Sequence, residues 1–412
     1  MKVHHQRIIL YFVVFAAATI IRFILYSQTP YANGWDGYHY IMQIQSKIQE
    51  GHLHVEDSSL IFPYLIQFAK IFDDLILSYK VAISVLSGLF AVATVKLAAN
   101  FTKEMWTLSI VGLWLIYSPT LTYLTAQFPK NLLGLVFFVL FLKYLIRQNY
   151  WLALLFFIHL FITHRMTAGL GVITAGAYFI FQMKPNTLKY IIPLGIAAIV
   201  AALYLPGVFH LSDLQRLSSS VFSSVQFPPY AFLQYIGEHN IHFFWLAEII
   251  ILVLVFLFLG YHIILRYLQK KPYLAFLYLF IPLFVLVLPF YSFQNAGIGY
   301  RFYLAFSVLA IPLFFFLKPL SNYKIKLPLI CLIIAGGLLY SFDYEPETYS
   351  PPYDWYYTLV NELEERFYKE LKISGSTDSM NQPLEKALRV AASFEISRLM
   401  LRDALNRIEE VA

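Results

Sequence analysis

MKVHHQRIILYFVVFAAATIIRFILY, residues 1–26, decides the class of this fold. A basic start leads into an apolar run of about 20 residues, the length that crosses the hydrocarbon core of a bilayer. The run is too long for a signal-peptide core, and no small-x-small cleavage site follows it. It reads as an uncleaved first transmembrane helix. Blocks of similar length recur along all 412 residues, of which 59% are hydrophobic and 13% charged. A soluble domain carries about 25% charged residues. The chain therefore reads as an all-α, polytopic membrane protein. Its single cysteine, Cys331, lies in an apolar block, so no internal disulfide is available to report a redox compartment.

Hydropathy predicts eleven spans: 7–26, 75–99, 105–121, 131–147, 151–163, 166–182, 188–206, 243–267, 273–291, 300–318 and 326–341. With the N-terminus inside, 14 of the 22 Lys and Arg residues before position 343 fall in inner loops, where Glu104 is the lone acid. That is the positive-inside pattern. It requires 151–182 to be a helical hairpin with "THR" (163–165) at its outer tip. The net charge of +6 hides an asymmetry, because residues 1–342 hold 22 basic and 10 acidic residues while residues 343–412 hold 8 and 14. The basicity thus concerns topology and lipid phosphate, with no call for nucleic acid. Residues 1–342 are expected to form the transmembrane domain, with long outer loops at 27–74 and 207–242. Residues 343–412 are expected to form a short helical tail on the outside, with helices near 355–372 and 383–410.

The first outer loop opens with "NGWDGYHYIMQIQSKIQEG", residues 33–51. Asn33 or Asp36 can cap a helix that runs to Glu50, with Gly51 ending it. At 3.6 residues per turn, Asp36, His39, Gln43, Lys47 and Glu50 share one face, and Ile41, Ile44 and Ile48 lie roughly opposite. This predicts an amphipathic helix lying apolar side down on the membrane surface. "SSLIFPYLIQFAKIF" predicts a second short helix, and Asp73-Asp74 a cap for the next span. Glu56 and Asp57 read as a solvated turn. The plain alternative for Asp36 is a helix cap, and for His39 a surface histidine.

A first transmembrane helix followed at once by "GWDGYHYIMQIQ" resembles the GT-C superfamily of membrane glycosyltransferases, which includes protein mannosyltransferases and oligosaccharyltransferase catalytic subunits. The latter carry an Asp, aromatics and a His-Tyr similar to "DGYHY" here. The resemblance implies a GT-C-like architecture of about eleven helices and a catalytic role for Asp36. It implies a polyprenyl-phosphate-linked sugar as donor and a glycan, lipid or protein as acceptor. The "YRF" opening of a late span, residues 300–302, is similar to GT-C openings whose arginine holds the lipid phosphate, which implies that role for Arg301. One feature departs from the pattern: "SPTLTYLTAQFPK" lacks the acid that several GT-C enzymes carry in their second outer loop.

Further polar residues fall on the same expected face. Lys130 starts the fourth span, and His164 and Arg165 tip the hairpin. An unpaired guanidinium below the interface is costly, which singles out Arg165; Lys130 reads first as a snorkelling cation and second as a phosphate contact. Arg22 reads as snorkelling and His159 as a packing residue. In the expected chemistry Asp36 takes the acceptor proton. Arg165 and Arg301 clamp the departing phosphate through paired hydrogen bonds. His39, His164 and Lys130 complete the phosphate-binding set. Glu238 and His242 would share a helix face but lack a third ligand, so neither a metal nor another cofactor is expected. A lipid-glycan polymerase or ligase, a transporter or flippase, and an inactive scaffold are the rival readings.

Overall fold

The computed structural model describes residues 2–34, 36–53, 57–182, 243–288, 298–317, 323–342 and 344. Among them the chain is helical throughout, with no strand. The helices are α1 (Lys2–Tyr26), α2 (Gly37–Glu50), α3 (Ile61–Ala69), α4 (Leu75–Ala98), α5 (Met105–Tyr117), α6 (Pro119–Gln127), α7 (Pro129–Ile146), α8 (Tyr150–Thr163), α9 (Arg165–Gln182), α10 (Phe243–Leu268), α11 (Leu274–Leu286), α12 (Ile298–Ala310) and α13 (Tyr323–Phe342). A 3₁₀ segment, Ile311–Leu317, continues α12. The expected span 188–206, the 207–242 loop with Glu238, His239 and His242, and the tail helices lie outside the described residues.

Among the described residues five helices are long and apolar enough to cross a membrane, or six if the bent pair α5–α6 counts as one span. The eleven spans expected are thus met only in part by helices of spanning length. α8 and α11 have 14 and 13 residues; at 1.5 Å per residue these are about 20 Å long, short of a hydrocarbon core of about 30 Å. The apolar part of α13 is shorter than a span as well. The 151–182 hairpin does form, with His164 alone linking α8 to α9 in an extended conformation. α1 packs on α4 and α5, α4 on α7, and α7 on α8 and α9; α10, α11 and α12 pack together, with α11 against α9 and α12 against α6.

The 105–121 span breaks because Pro119 has no N–H to donate and its ring cannot follow a helical residue. Ser118 ends α5 in an extended conformation and its hydroxyl accepts from Leu121 N at 3.0 Å, so a new helix starts at a 50° bend. The freed backbone groups are met by two charged side chains. Arg22 of α1, fully buried, donates to the carbonyls of Leu115 (2.7 Å), Ile116 (2.8 Å) and Ser118 (3.4 Å). Glu248 of α10, also buried, accepts from Thr120 N (2.9 Å), the Thr120 hydroxyl (2.6 Å) and Trp114 Nε1 (2.7 Å). The cation thus sits on the negative end of α5 and the carboxylate on the positive end of α6, as the helix dipoles favour. Arg22 does not snorkel; it caps a helix 93 residues away. His159 behaves as expected: Nδ1 contacts the Leu155 carbonyl at 2.8 Å and the ring packs on Phe137.

Candidate functional site

The site is built on the segment between α1 and α2. The Lys80 ammonium, buried on α4, donates to the Thr29 carbonyl, and the Tyr79 hydroxyl reaches the Asn33 carbonyl at 3.5 Å. Gly34 then turns with φ +84°; a Cβ there would stand 2.0 Å from the Ala126 carbonyl oxygen. Only glycine permits this backbone conformation and contact together. The chain is so pressed against the last turn of α6, and Gly37 N closes the turn on the Gly34 carbonyl at 3.2 Å.

Asp36 occupies the N-cap position of α2, yet its side chain makes no capping bond. Asp74, by contrast, caps α4 through Ile76 N (2.8 Å) and Leu77 N (3.2 Å), as expected. Gly51 ends α2 with φ +81°. α2 does not lie apolar side down. Gln43 and Ser46 are buried with Tyr40, Ile41 and Ile44, while Ile48 is exposed, because α2 packs on α3 and α4. Tyr40 stacks on Tyr79, and its hydroxyl accepts from the Lys130 backbone N–H, which docks α2 on the start of α7.

The Lys130 ammonium lies 2.5 Å from Asp57 Oδ2. Asp57 is therefore a paired residue and not part of a freely solvated turn; Glu56 lies outside the described residues. Asp57 Oδ1 accepts from Ser59 N at 2.8 Å, and the Ser59 hydroxyl donates to the Thr163 carbonyl at 2.7 Å. This fastens the loop to the residue before His164. Arg301, in the first turns of α12, lays its guanidinium 4.6 Å from the centre of the Phe128 ring. Phe128 also packs edge-on to Tyr300.

These contacts gather the residues singled out in the sequence. Arg301, His39 and Lys130 all act electrostatically on Asp36, and Lys130, Arg301 and Arg165 all act on His164. Asp36 keeps solvent-accessible surface. Protein nevertheless crowds its carboxylate, and desolvation raises its pKa, opposed by Arg301, His39 and Lys130 in that order. Burial lowers the pKa of His164 to about 3, and the three cations beside it push the same way. Burial, then Asp36 and Asp57, raise the Tyr40 phenol.

The enclosed Nε of Arg301 and Nδ1 of His164 have no hydrogen-bond partner, nor do both amide atoms of Asn33 and the Nδ2 of Asn131. Asn33 and Asn131 are 1% and 3% exposed, so their open valences are not met by bulk solvent. Buried polar atoms are usually paired, and unpaired ones call for a water, an ion or a ligand. Sequence reasoning did not place Asp57, Asn33 or Asn131 in the site: it read Asp57 as a solvated turn and Asn33 as a helix cap, and passed over Asn131. Asn131 sits beside Lys130, but neither asparagine carries a charge to draw attention. Among the described residues no group of three His, Cys, Asp or Glu side chains could hold a metal ion.

A family model described as the fumarate reductase flavoprotein C-terminus matches residues 356–410. No curated protein and no solved structure matches the chain. The matched stretch is too small a part of 412 residues to place the chain in that family, and it lies outside the described residues. It does overturn the GT-C resemblance, because the family found is a redox flavoprotein and not a membrane glycosyltransferase. The resemblance rested on a short acid-aromatic-histidine string. Glycosyl transfer, its sugar donor and a place in glycan biosynthesis are withdrawn with it, together with the polymerase and flippase alternatives. The family's description also puts a flavin against the expectation of no cofactor. Flavin dinucleotides are commonly held by a strand, a glycine-rich turn and a helix N-terminus. The described residues contain no strand and so do not fit that mode.

Proposed function

We propose that this is a multi-pass membrane protein that binds an oxyanion, foremost the phosphate of a lipid, where the starts of α2, α7, α9 and α12 meet. One observation carries the reading: the enclosed, unpartnered Arg301 Nε and His164 Nδ1 lie in the same charged cluster as Lys130 and Arg165. The Asp36 side chain caps none of the first N–H groups of α2. Helix N-termini with open N–H groups favour anions, and nearby cations add to this. Arg301 and Arg165 suit phosphate because a guanidinium grips it in a fork. Asp36 balances these cations while the site is empty. Its crowded carboxylate takes a proton as the anion enters, and His39 lies close enough to steer that exchange. Residues 1–342 form the membrane domain in this reading and 343–412 a separate tail. The positive-inside pattern puts the N-terminus inside and the site at the outer lipid headgroups.

A second ligand class comes from the matched family's description, which names fumarate, a dicarboxylate, as the substrate of those proteins. The same cations would accept carboxylates. Purified protein, wild-type and Arg301→Ala, should be titrated calorimetrically with an alkyl phosphate, inorganic phosphate and fumarate. The reading expects the alkyl phosphate to bind tightest and Arg301→Ala to weaken it at least about tenfold, the loss of a charge-assisted hydrogen bond. Tightest binding by fumarate would favour the second class. Binding of no oxyanion, or unchanged affinity in the variant, would refute the site.

A further inference from the structure

We infer that Asp57 sets the charge a ligand must carry to enter this site, so that the site selects phosphate monoesters over phosphodiesters and carboxylates. The inference rests on the oxyanion reading and deepens it.

Lys130 is not an open cation. Its ammonium already holds a carboxylate, at 2.5 Å, and both side chains keep part of their surface accessible, 26% for Lys130 and 30% for Asp57. Asp57 is held in turn by Ser59 N, and the Ser59 hydroxyl is bound to the Thr163 carbonyl. The strap from Asp57 to Ser59 therefore joins Lys130 to the turn that carries His164 and Arg165. An anion bound among those cations competes with the Asp57 carboxylate for Lys130.

Replacement is an exchange. A carboxylate or a phosphodiester brings one negative charge and displaces one, so its gain at Lys130 is close to nil. A phosphate monoester brings about 1.5 to 2 negative charges and three strong acceptor oxygens at neutral pH. It leaves Lys130 better neutralised than Asp57 does and still has oxygens for Arg301 and Arg165. The barrier is low for such a ligand, because a part-exposed ion pair contributes little. Asp57 thus acts as a resident competitor that only a more highly charged anion displaces with profit.

The test uses the full chain in detergent, with dodecyl phosphate, its methyl diester and dodecanoate as probes and inorganic phosphate as the lipid-free control. Wild type should bind the monoester at least about tenfold tighter than the diester or dodecanoate. Asp57→Asn should bind the two monoanions about two- to fivefold tighter than wild type does and the monoester by less, so the preference narrows. Lys130→Gln should also narrow it, and Asp57→Asn added to Lys130→Gln should change little, since the two residues act as a pair. This second cycle decides the matter if Asp57→Asn alone fails to fold. Ser59→Ala keeps the carboxylate and should speed association while leaving the preference intact. Monoester binding with an unchanged preference in Asp57→Asn and Lys130→Gln overturns this inference and leaves the oxyanion reading standing. Absence of binding by every probe overturns both. Inorganic phosphate binding as tightly as dodecyl phosphate would identify the ligand as free phosphate, with the role of Asp57 retained.

Discussion

Replacing Arg22 by Met would remove the cap on the broken end of α5. Two short bonds, 2.7 and 2.8 Å, would go, and the buried carbonyls of Leu115 and Ile116 would lose those partners. A hydrogen bond to a charged group contributes about 1.5–3 kcal/mol, and an orphaned buried acceptor carries a desolvation cost in the same range. Glu248 would also lose the nearest opposing charge across the break. Removing one member of a buried charged set commonly costs about 3–5 kcal/mol, and that is the loss expected here. Against a total stability of about 5–15 kcal/mol, such a variant is close to unfolding. Unfolding of the purified protein in mixed micelles, followed by helical circular dichroism, would measure it. Arg22→Lys should fall between wild type and Arg22→Met, because one ammonium cannot reproduce the fork across two carbonyls. A loss of less than about 1 kcal/mol in Arg22→Met would refute the cap and restore a snorkelling arginine.

Asp36→Asn should leave stability within about 0.5 kcal/mol of wild type, whereas Asp74→Ala should cost about 1 kcal/mol, because only the second carboxylate caps its helix; comparable losses in the two variants would show that Asp36 caps after all. The raised pKa of Asp36 means that its burial favours folding below the ordinary carboxylate range and opposes it as pH rises through the shifted value, so Asp36→Asn should flatten the stability profile there. Gly34→Ala should destabilise by at least about 2 kcal/mol in the same unfolding assay, since both the +84° φ and the Ala126 carbonyl oppose a Cβ. His164 should stay neutral at pH 7 and titrate near 3. Its contribution to stability is present above pH 6.5 and is lost as pH falls toward 3. A bound oxyanion should raise its pKa, and nuclear magnetic resonance of the ring, with and without alkyl phosphate, reads both values.

Hydropathy located most of the helices within a few residues, because apolar length is a local property. It could not see the break at Ser118: the apolar run continues through the proline, and the groups that stabilise the bend come from α1 and α10. The same distance in sequence hid the role of Arg22, which looks like any arginine near a span end until its acceptors 93 to 96 residues away are known. Charge and position were enough to single out Asp36, Lys130, His164, Arg165 and Arg301, since ionisable residues at span ends are few. Asp57 was harder. Its partner is 73 residues away, and an acid in a polar turn is solvated unless the fold says otherwise. Asn33 and Asn131 became visible only through burial, which no pattern of residue types encodes. The substrate class was the least legible of all, because only short likenesses, "DGYHY" and "YRF", and a loose layout carried it.

The bend between α5 and α6 also bears on how the chain is made. Its two capping charges come from helices far apart in the chain, α1 and α10. Arg22 is synthesised before the bend, but Glu248 follows Thr120 by 128 residues. At about 5–20 residues per second, a ribosome needs roughly 6–25 s to reach it. Through that interval the start of α6 lacks its carboxylate. The first half of the bundle is therefore unfinished until α10 is made, and a chain stopped before α10 should be cut by protease faster than the full chain.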